Sequence, residues 1–197
     1  MSELVVVGFK NNRSRAAAVL GELRSRDEAW TAGLHGAIAM YRDDEGKLIV
    51  DEAYESTKGS GAIGGGFIGS LLGLAIAALT LPLTAGLSGI VAAGSLVAGA
   101  VGGSIIGAQH GSVDNASWWK DEVNIPEDFL AAIRQTVLQN DSAIFFLLRA
   151  PDHSGMAARF REYGGTVLHA TLTDEQMKKV KARVEPPEQS HSHQYRG

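Results

Sequence analysis

Four short clusters in this chain carry residue types that do chemistry elsewhere, and each lacks the spacing or the setting that the chemistry needs. Gly59-Ser60-Gly61-Ala62-Ile63-Gly64 fits the G-x-G-x-x-G fingerprint of a dinucleotide site, and a strand pattern precedes it. Binding a pyrophosphate there also requires a buried apolar strand before the glycines and an acidic residue roughly 20 positions later for the ribose. Here the strand ends Asp51-Glu52-Ala53-Tyr54-Glu55, and no Asp or Glu follows before Asp114. Asp152-His153-Ser154 holds the three residue types of a hydrolase triad. A triad is assembled from separated segments around an oriented nucleophile, and no Gly-x-Ser-x-Gly elbow occurs anywhere in the chain. Asp43-Asp44-Glu45 offers three carboxylates without the longer ligand spacing of a calcium loop. His191-Ser192-His193 offers two imidazoles in a polar tail without a carboxylate partner. These clusters read as helix packing, capping, a solvated turn and a solvated tail.

Composition narrows the classes further. With no cysteine, the chain has no disulfide, no thiolate nucleophile and no cysteine metal site. A net charge of −4, with no basic stripe on any expected face, leaves no electrostatic footprint for nucleic acid. The expectation is a chain with no catalytic residues, no cofactor and no metal. Met1-Ser2-Glu3 runs straight into Leu4-Val5-Val6-Val7 without a basic region or a long apolar stretch, which is not the pattern of a secretory signal.

The elements that would have to position any site follow from periodicity. Leu4–Phe9 is a short valine-rich strand, and Asn11 and Asn12 can cap the amphipathic helix over 13–25, which gathers Ala16, Val19, Leu20 and Leu23 on one face. Ala37–Tyr41 and Leu48–Ala53 read as strands joined by an Asp/Glu/Gly turn. Pro126 suits the first turn of a helix with Phe129, Leu130, Ile133 and Val137 on one side. Ala143–Leu148 is the strongest strand signal and should lie centrally, buried on both faces. Ser154–Tyr163 reads as a short helix closed by Gly164-Gly165, and Thr166–Leu172 as a strand. Thr173 with Gln176 forms a capping box for a last helix through about 184, which Pro186-Pro187 ends. Two β-α-β units, 4–41 and 143–172, predict an α+β fold: a ferredoxin-like sandwich with the first strand of each unit at its centre. A parallel flavodoxin-like sheet is the alternative.

Between the two units, residues 59–113 hold no Asp, Glu, Lys or Arg, and this stretch contains two glycine ladders. The first is Gly61, Gly65, Gly69 and Gly73; the second is Gly99, Gly103, Gly107 and Gly111. A period of four aligns each ladder along one side of a helix, where a second backbone can approach closely. Leu81-Pro82-Leu83 and Ala85–Gly89 interrupt the run as the turn of a helical hairpin would. Helices over 61–81 and 86–108 would measure about 31 Å and about 34 Å, enough for a hydrocarbon core of roughly 30 Å. Eight glycines inside helices each cost about 1 kcal/mol relative to alanine, so lipid or an oligomer interior must compensate. His110, Trp118 and Trp119 follow the second ladder and suit a membrane–water interface, or, for the tryptophans, a place under the α/β domain.

The order of Val5-Val6-Val7-Gly8-Phe9, the run from Gly61 to Gly111, and Ala143–Leu172 with Gly164-Gly165 resembles an uncharacterised bacterial family of glycine-rich membrane proteins of unknown function. The resemblance covers most of the chain up to about residue 184; it implies membrane association and supplies no catalytic residue. The expected organisation is then 1–58 as the first half of the α/β domain, 59–112 as the inserted glycine-zipper hairpin, 113–184 as the second half, and 185–197 as a mobile tail. The expected protein is non-enzymatic and membrane-associated, with both flanks cytoplasmic, lipid and further copies of itself as partners, and an α/β domain for partner binding or sensing. The alternative is a soluble homo-oligomeric scaffold with its hairpins in a shared apolar core. Either way the hairpin is expected to be separable: a linker in place of 59–112, or Leu74→Lys within it, should leave the α/β domain folded.

Overall fold

The computed structural model describes residues 2–26, 33–55, 66–80, 97–98, 118–149 and 160–184. In chain order the elements are β1 (Ser2–Phe9), α1 (Arg15–Arg26), β2 (Leu34–Arg42), β3 (Leu48–Glu55), α2 (Gly66–Thr80), β4 (Val97–Ala98), α3 (Glu127–Thr136), β5 (Ser142–Arg149), β6 (Thr166–Leu172) and α4 (Asp174–Val184). The fold is mixed α+β around a sheet of order β4-β3-β2-β5-β1-β6. Its five long strands are all antiparallel to their neighbours, and only the two-residue β4 pairs in parallel, on β3. That pattern excludes the parallel flavodoxin-like alternative.

β1 and β5 are adjacent interior strands of the sheet, with Val5 opposite Phe146 and Val7 opposite Ile144. Their unbroken apolar runs have a direct cause: both faces of the sheet are covered. Leu4 and Val6 of β1, with Ala143, Phe145 and Leu147 of β5, face a cluster that includes α2, α3 and α4. Val5, Val7 and Phe9, with Ile144, Phe146 and Leu148, face α1 and Phe160. A half-covered sheet would alternate apolar and polar residues, whereas these strands have no solvated face to serve. The sheet is therefore the middle of three layers, one layer more than an α/β sandwich has.

Several local signals act as the sequence predicts. Thr173 Oγ1 accepts from the Gln176 backbone N–H (3.2 Å) while Gln176 Oε1 accepts from the Thr173 N–H (2.9 Å), a reciprocal cap on α4. Gly164 takes the left-handed conformation (φ +78°) after the helical turn at 160–162. Asp43 folds the β2–β3 turn on itself, its Oδ1 accepting from the backbone N–H groups of Glu45 (2.9 Å) and Lys47 (2.8 Å). Elsewhere the structure corrects the expectation. Val97–Ala98, expected within the second ladder's helix, form the β4 strand against Ile49 and Val50. β-Branched Val97 suits a strand, and β3 has an edge there to receive it. The rest of the second hairpin arm lies outside the described residues.

Candidate functional site

The charge-free run contributes one described helix, α2, which sits against the sheet. From Leu71 to Leu79 every side chain of α2 is buried, with Leu71, Leu74, Ala75 and Ala78 at 0% exposure. A helix apolar on all sides belongs inside something. Here the sheet, α3, α4 and a helical turn at 118–121 enclose it.

Polar groups from distant parts of the chain then fit to its backbone. At the amino-terminal end Gly66 lies against the last residue of α4: a Cβ built there would meet the Val184 carbonyl oxygen and Cβ at 2.9 Å. Next, Phe67 stacks on His35 of β2, with ring centroids 5.1 Å apart and planes 26° apart. Gly36 leaves room for this, since a Cβ there would come within 3.2 Å of Phe67 Cβ. Burial, reinforced by the nearby positive charges of Arg149 and Lys181, lowers the His35 pKa to about 4, so this imidazole is neutral at pH 7. In mid-helix the Trp119 indole N–H donates to the Ser70 carbonyl at 2.6 Å. Trp118 meets Trp119 edge-on at 5.3 Å, donates to Glu122 (2.9 Å), and lies under the Arg183 guanidinium. At the carboxyl-terminal end two arginines converge. Arg42 Nη2 donates to the Leu79 carbonyl (2.8 Å) and Arg134 Nε to the Ala78 carbonyl (3.0 Å). Both carbonyls lie in the last described turn of α2, at the negative end of the helix dipole, where guanidinium groups are well placed. Burial pushes both arginine pKa values down, and for Arg42 the charge of Arg134 adds to it. The Arg42 Nε and Ser70 Oγ are the buried side-chain polar atoms without a hydrogen bond among the described residues.

A second polar centre lies at one end of the sheet. Asp141, buried to 2% exposure, accepts from Lys10 Nζ and the Leu138 N–H through Oδ2 and from the Asn11 N–H through Oδ1, all at 2.8 Å. Its neighbour Ser142 donates to the Asn12 carbonyl (2.6 Å) and accepts from the Ala16 N–H (3.2 Å). Arg13 contacts both Asn140 and Asp44. This junction ties the start of α1, the β2–β3 turn and the α3–β5 turn together. Burial works against the Asp141 charge, but Lys10 and the two backbone N–H groups outweigh it and hold the carboxyl below its usual range.

Of the residues singled out in the sequence, Gly69 and Gly73 fall on α2, and Trp118 and Trp119 pack in the core at 5% and 0% exposure. That burial fits a place for these two indoles under the α/β domain. A Cβ on Gly69 would meet no atom within 4 Å among the described residues, whereas Gly66, outside the ladder, lies in close contact with Val184. Gly61, Gly65, Gly99, Gly103, Gly107, Gly111, His110, the 59–64 fingerprint, Asp152-His153-Ser154, His191 and His193 lie outside the described residues. Among the described residues no three potential metal ligands cluster, and no helix is long and apolar enough to cross a membrane. Asp44 and Glu45 of the acidic turn are engaged by Arg13 and Lys47.

Sequence reasoning did not find His35, Arg42, Arg134, Gly66 or Asp141. Most of their partners lie tens of residues away in the chain.

Comparison with protein families places the chain. The pattern of the family described as "Protein of unknown function (DUF1269)" matches residues 62–185, well over half of the sequence. The chain belongs to that family. The match takes in the glycine-rich run, α2 and everything through α4, and brings no residue role with it. No curated protein and no solved structure matches.

Proposed function

We propose that this protein is a non-enzymatic assembly module: an α/β domain of ferredoxin-like topology that self-associates through the glycine-rich run as a soluble scaffold. The observation that carries the soluble reading is the seating of α2. Its side chains from 71 to 79 are buried and its last carbonyls are held by Arg42 and Arg134 of the domain. A helix so held is a core element, which favours the scaffold reading over a two-pass hairpin. With α2 committed, residues 81–117 are fewer than the roughly 40 that two spans need. The ferredoxin-like topology is supported by the order β2-β5-β1-β6, in which β1-α1-β2 and β5 to β6 are two parallel crossovers interleaved through antiparallel β1 and β5. The α/β domain would then bind a protein partner or report a state.

The membrane reading is the second possibility, favoured by the charge-free composition of 59–113. It requires α2 to leave the domain and uncover one sheet face, with both flanks remaining cytoplasmic. Fractionation of the full chain separates the two. A discrete oligomer in detergent-free buffer is the expected result. Membrane association that resists alkaline carbonate would overturn the scaffold reading.

A further inference from the structure

The two long edges of the sheet are built differently. β3 carries Asp51, Glu52 and Glu55, shifts register against β2 between Ala39 and Met40, and has β4 on its outer side. Those are the ordinary defences of a strand edge: inserted charge, a bulge and a cover. Among the described residues β6 has none of them. Its sequence, Thr-Val-Leu-His-Ala-Thr-Leu, holds no charged residue and no proline. It follows β1 without a register shift from Thr166 to Leu172, and it ends the sheet. An uncharged, straight strand of this length leaves a row of backbone donors and acceptors unpaired by any described strand, and what satisfies such a row is another strand.

We propose that β6 pairs antiparallel with β6 of a second copy across a two-fold axis through His169, joining two sheets into one. The occupant follows from the side chains. About His169 the strand is self-complementary: Leu168 of one copy falls opposite Ala170 of the other, Val167 opposite Thr171, and Thr166 opposite Leu172. No pair sets like charges against each other. Leu168 and Ala170 already pack half-buried on the cluster beneath α2, and Val167 on the cluster beneath α1, so both apolar layers continue across the junction. Thr166, His169 and Thr171 are exposed in a single copy and would be covered in the pair. This surface shares no residue with the glycine-rich run and does not depend on it.

The absence of cysteine gives a direct test on the full-length chain. On the axis, opposed residues of an antiparallel pair have Cα atoms roughly 4.5–5.5 Å apart, within the range a disulfide spans. His169→Cys should therefore form a disulfide-linked dimer under mild oxidation, severalfold above the collision level set by Lys178→Cys on α4. Adding Thr171→Glu to His169→Cys places a second carboxylate beside Glu3, its neighbour on β1, and buries it without a cationic partner at the junction; linkage should return to that level, with circular dichroism unchanged. Linkage at position 169 no greater than at 178 in a folded protein overturns the proposal, as does a monomeric mass by light scattering. The readout is specific to β6, so an oligomer that forms without linkage at 169 refutes this contact and leaves assembly through the glycine-rich run standing.

Discussion

The seat of α2 and the junction at Asp141 hold the same sheet by opposite means. At the seat, nine consecutive apolar or small residues are buried, and polar groups reach in from His35, Trp119, Arg42 and Arg134 to finish the helix. At the junction a single carboxylate gathers Lys10, Asn11 and Leu138, and little apolar surface is involved. Burial at the seat is spread over many side chains and is non-directional, so it tolerates the loss of a methyl group and fails when a charge is introduced. The junction is directional and concentrated, so it fails when one atom changes. An uncharged stretch is therefore no sign that a segment stands apart from its domain.

The largest expected effect breaks the seat. Leu74 has 0% exposure beneath the sheet. Leu74→Lys should unfold the whole domain, with a loss of at least several kcal/mol, because the ammonium has no partner there. Urea titration followed by circular dichroism checks it. A variant with native stability would make the seat a peripheral attachment, as the hairpin reading of the sequence expects. For the same reason, a linker in place of 59–112 should now yield an unfolded chain.

Acid should separate the two regions by pH. His35 has its pKa depressed from 6.5 to about 4, so its contribution is complete above the unfolded value. That contribution falls as pH drops from about 6.5 toward 4, at a slope of at most about 1.4 kcal/mol per pH unit. The Asp141 carboxyl is also depressed, from 3.8, so its contribution persists through that window and is lost only as pH falls below it. Stability measured against pH should show both phases. His35→Phe should remove the upper one and Asp141→Asn the lower; loss of the upper phase in Asp141→Asn would reverse the assignment.

The smallest effect sharpens the reading of the glycines. Gly66→Ala must displace the end of α4 at Val184 and should cost about 1–3 kcal/mol. Gly69→Ala meets no atom of the described residues and should gain about 0.5–1 kcal/mol from helix propensity. Thermal melts of the two variants should therefore move in opposite directions. Equal losses would restore the four-residue ladder as the contact stripe.

How much of this was legible in the sequence depends on the range of the interactions. The central place of β5 could be read from Ala143–Leu148, the cap of α4 from Thr173 and Gln176, and the turn after 160–162 from Gly164. Each of these signals lies within a few residues. The seat could not be read, because a helix apolar on every side fits a bilayer and a protein core equally well. What decides between them is Arg42, Arg134 and Trp119, which reach α2 from 37, 56 and 49 positions away. The Asp141 junction was hidden likewise, by separations of 130 and 131 positions to Asn11 and Lys10. A four-residue period marks one side of a helix without saying which glycine on the helix is touched.

The central claim, that α2 is part of the domain's own core, is tested most directly by amide hydrogen exchange on the full chain in detergent-free buffer. Residues 71–79 should be protected as strongly as β5 and should lose protection together with it as urea rises. Rapid exchange of α2 beside a protected β5, with protection gained only when lipid vesicles are added, would contradict the account.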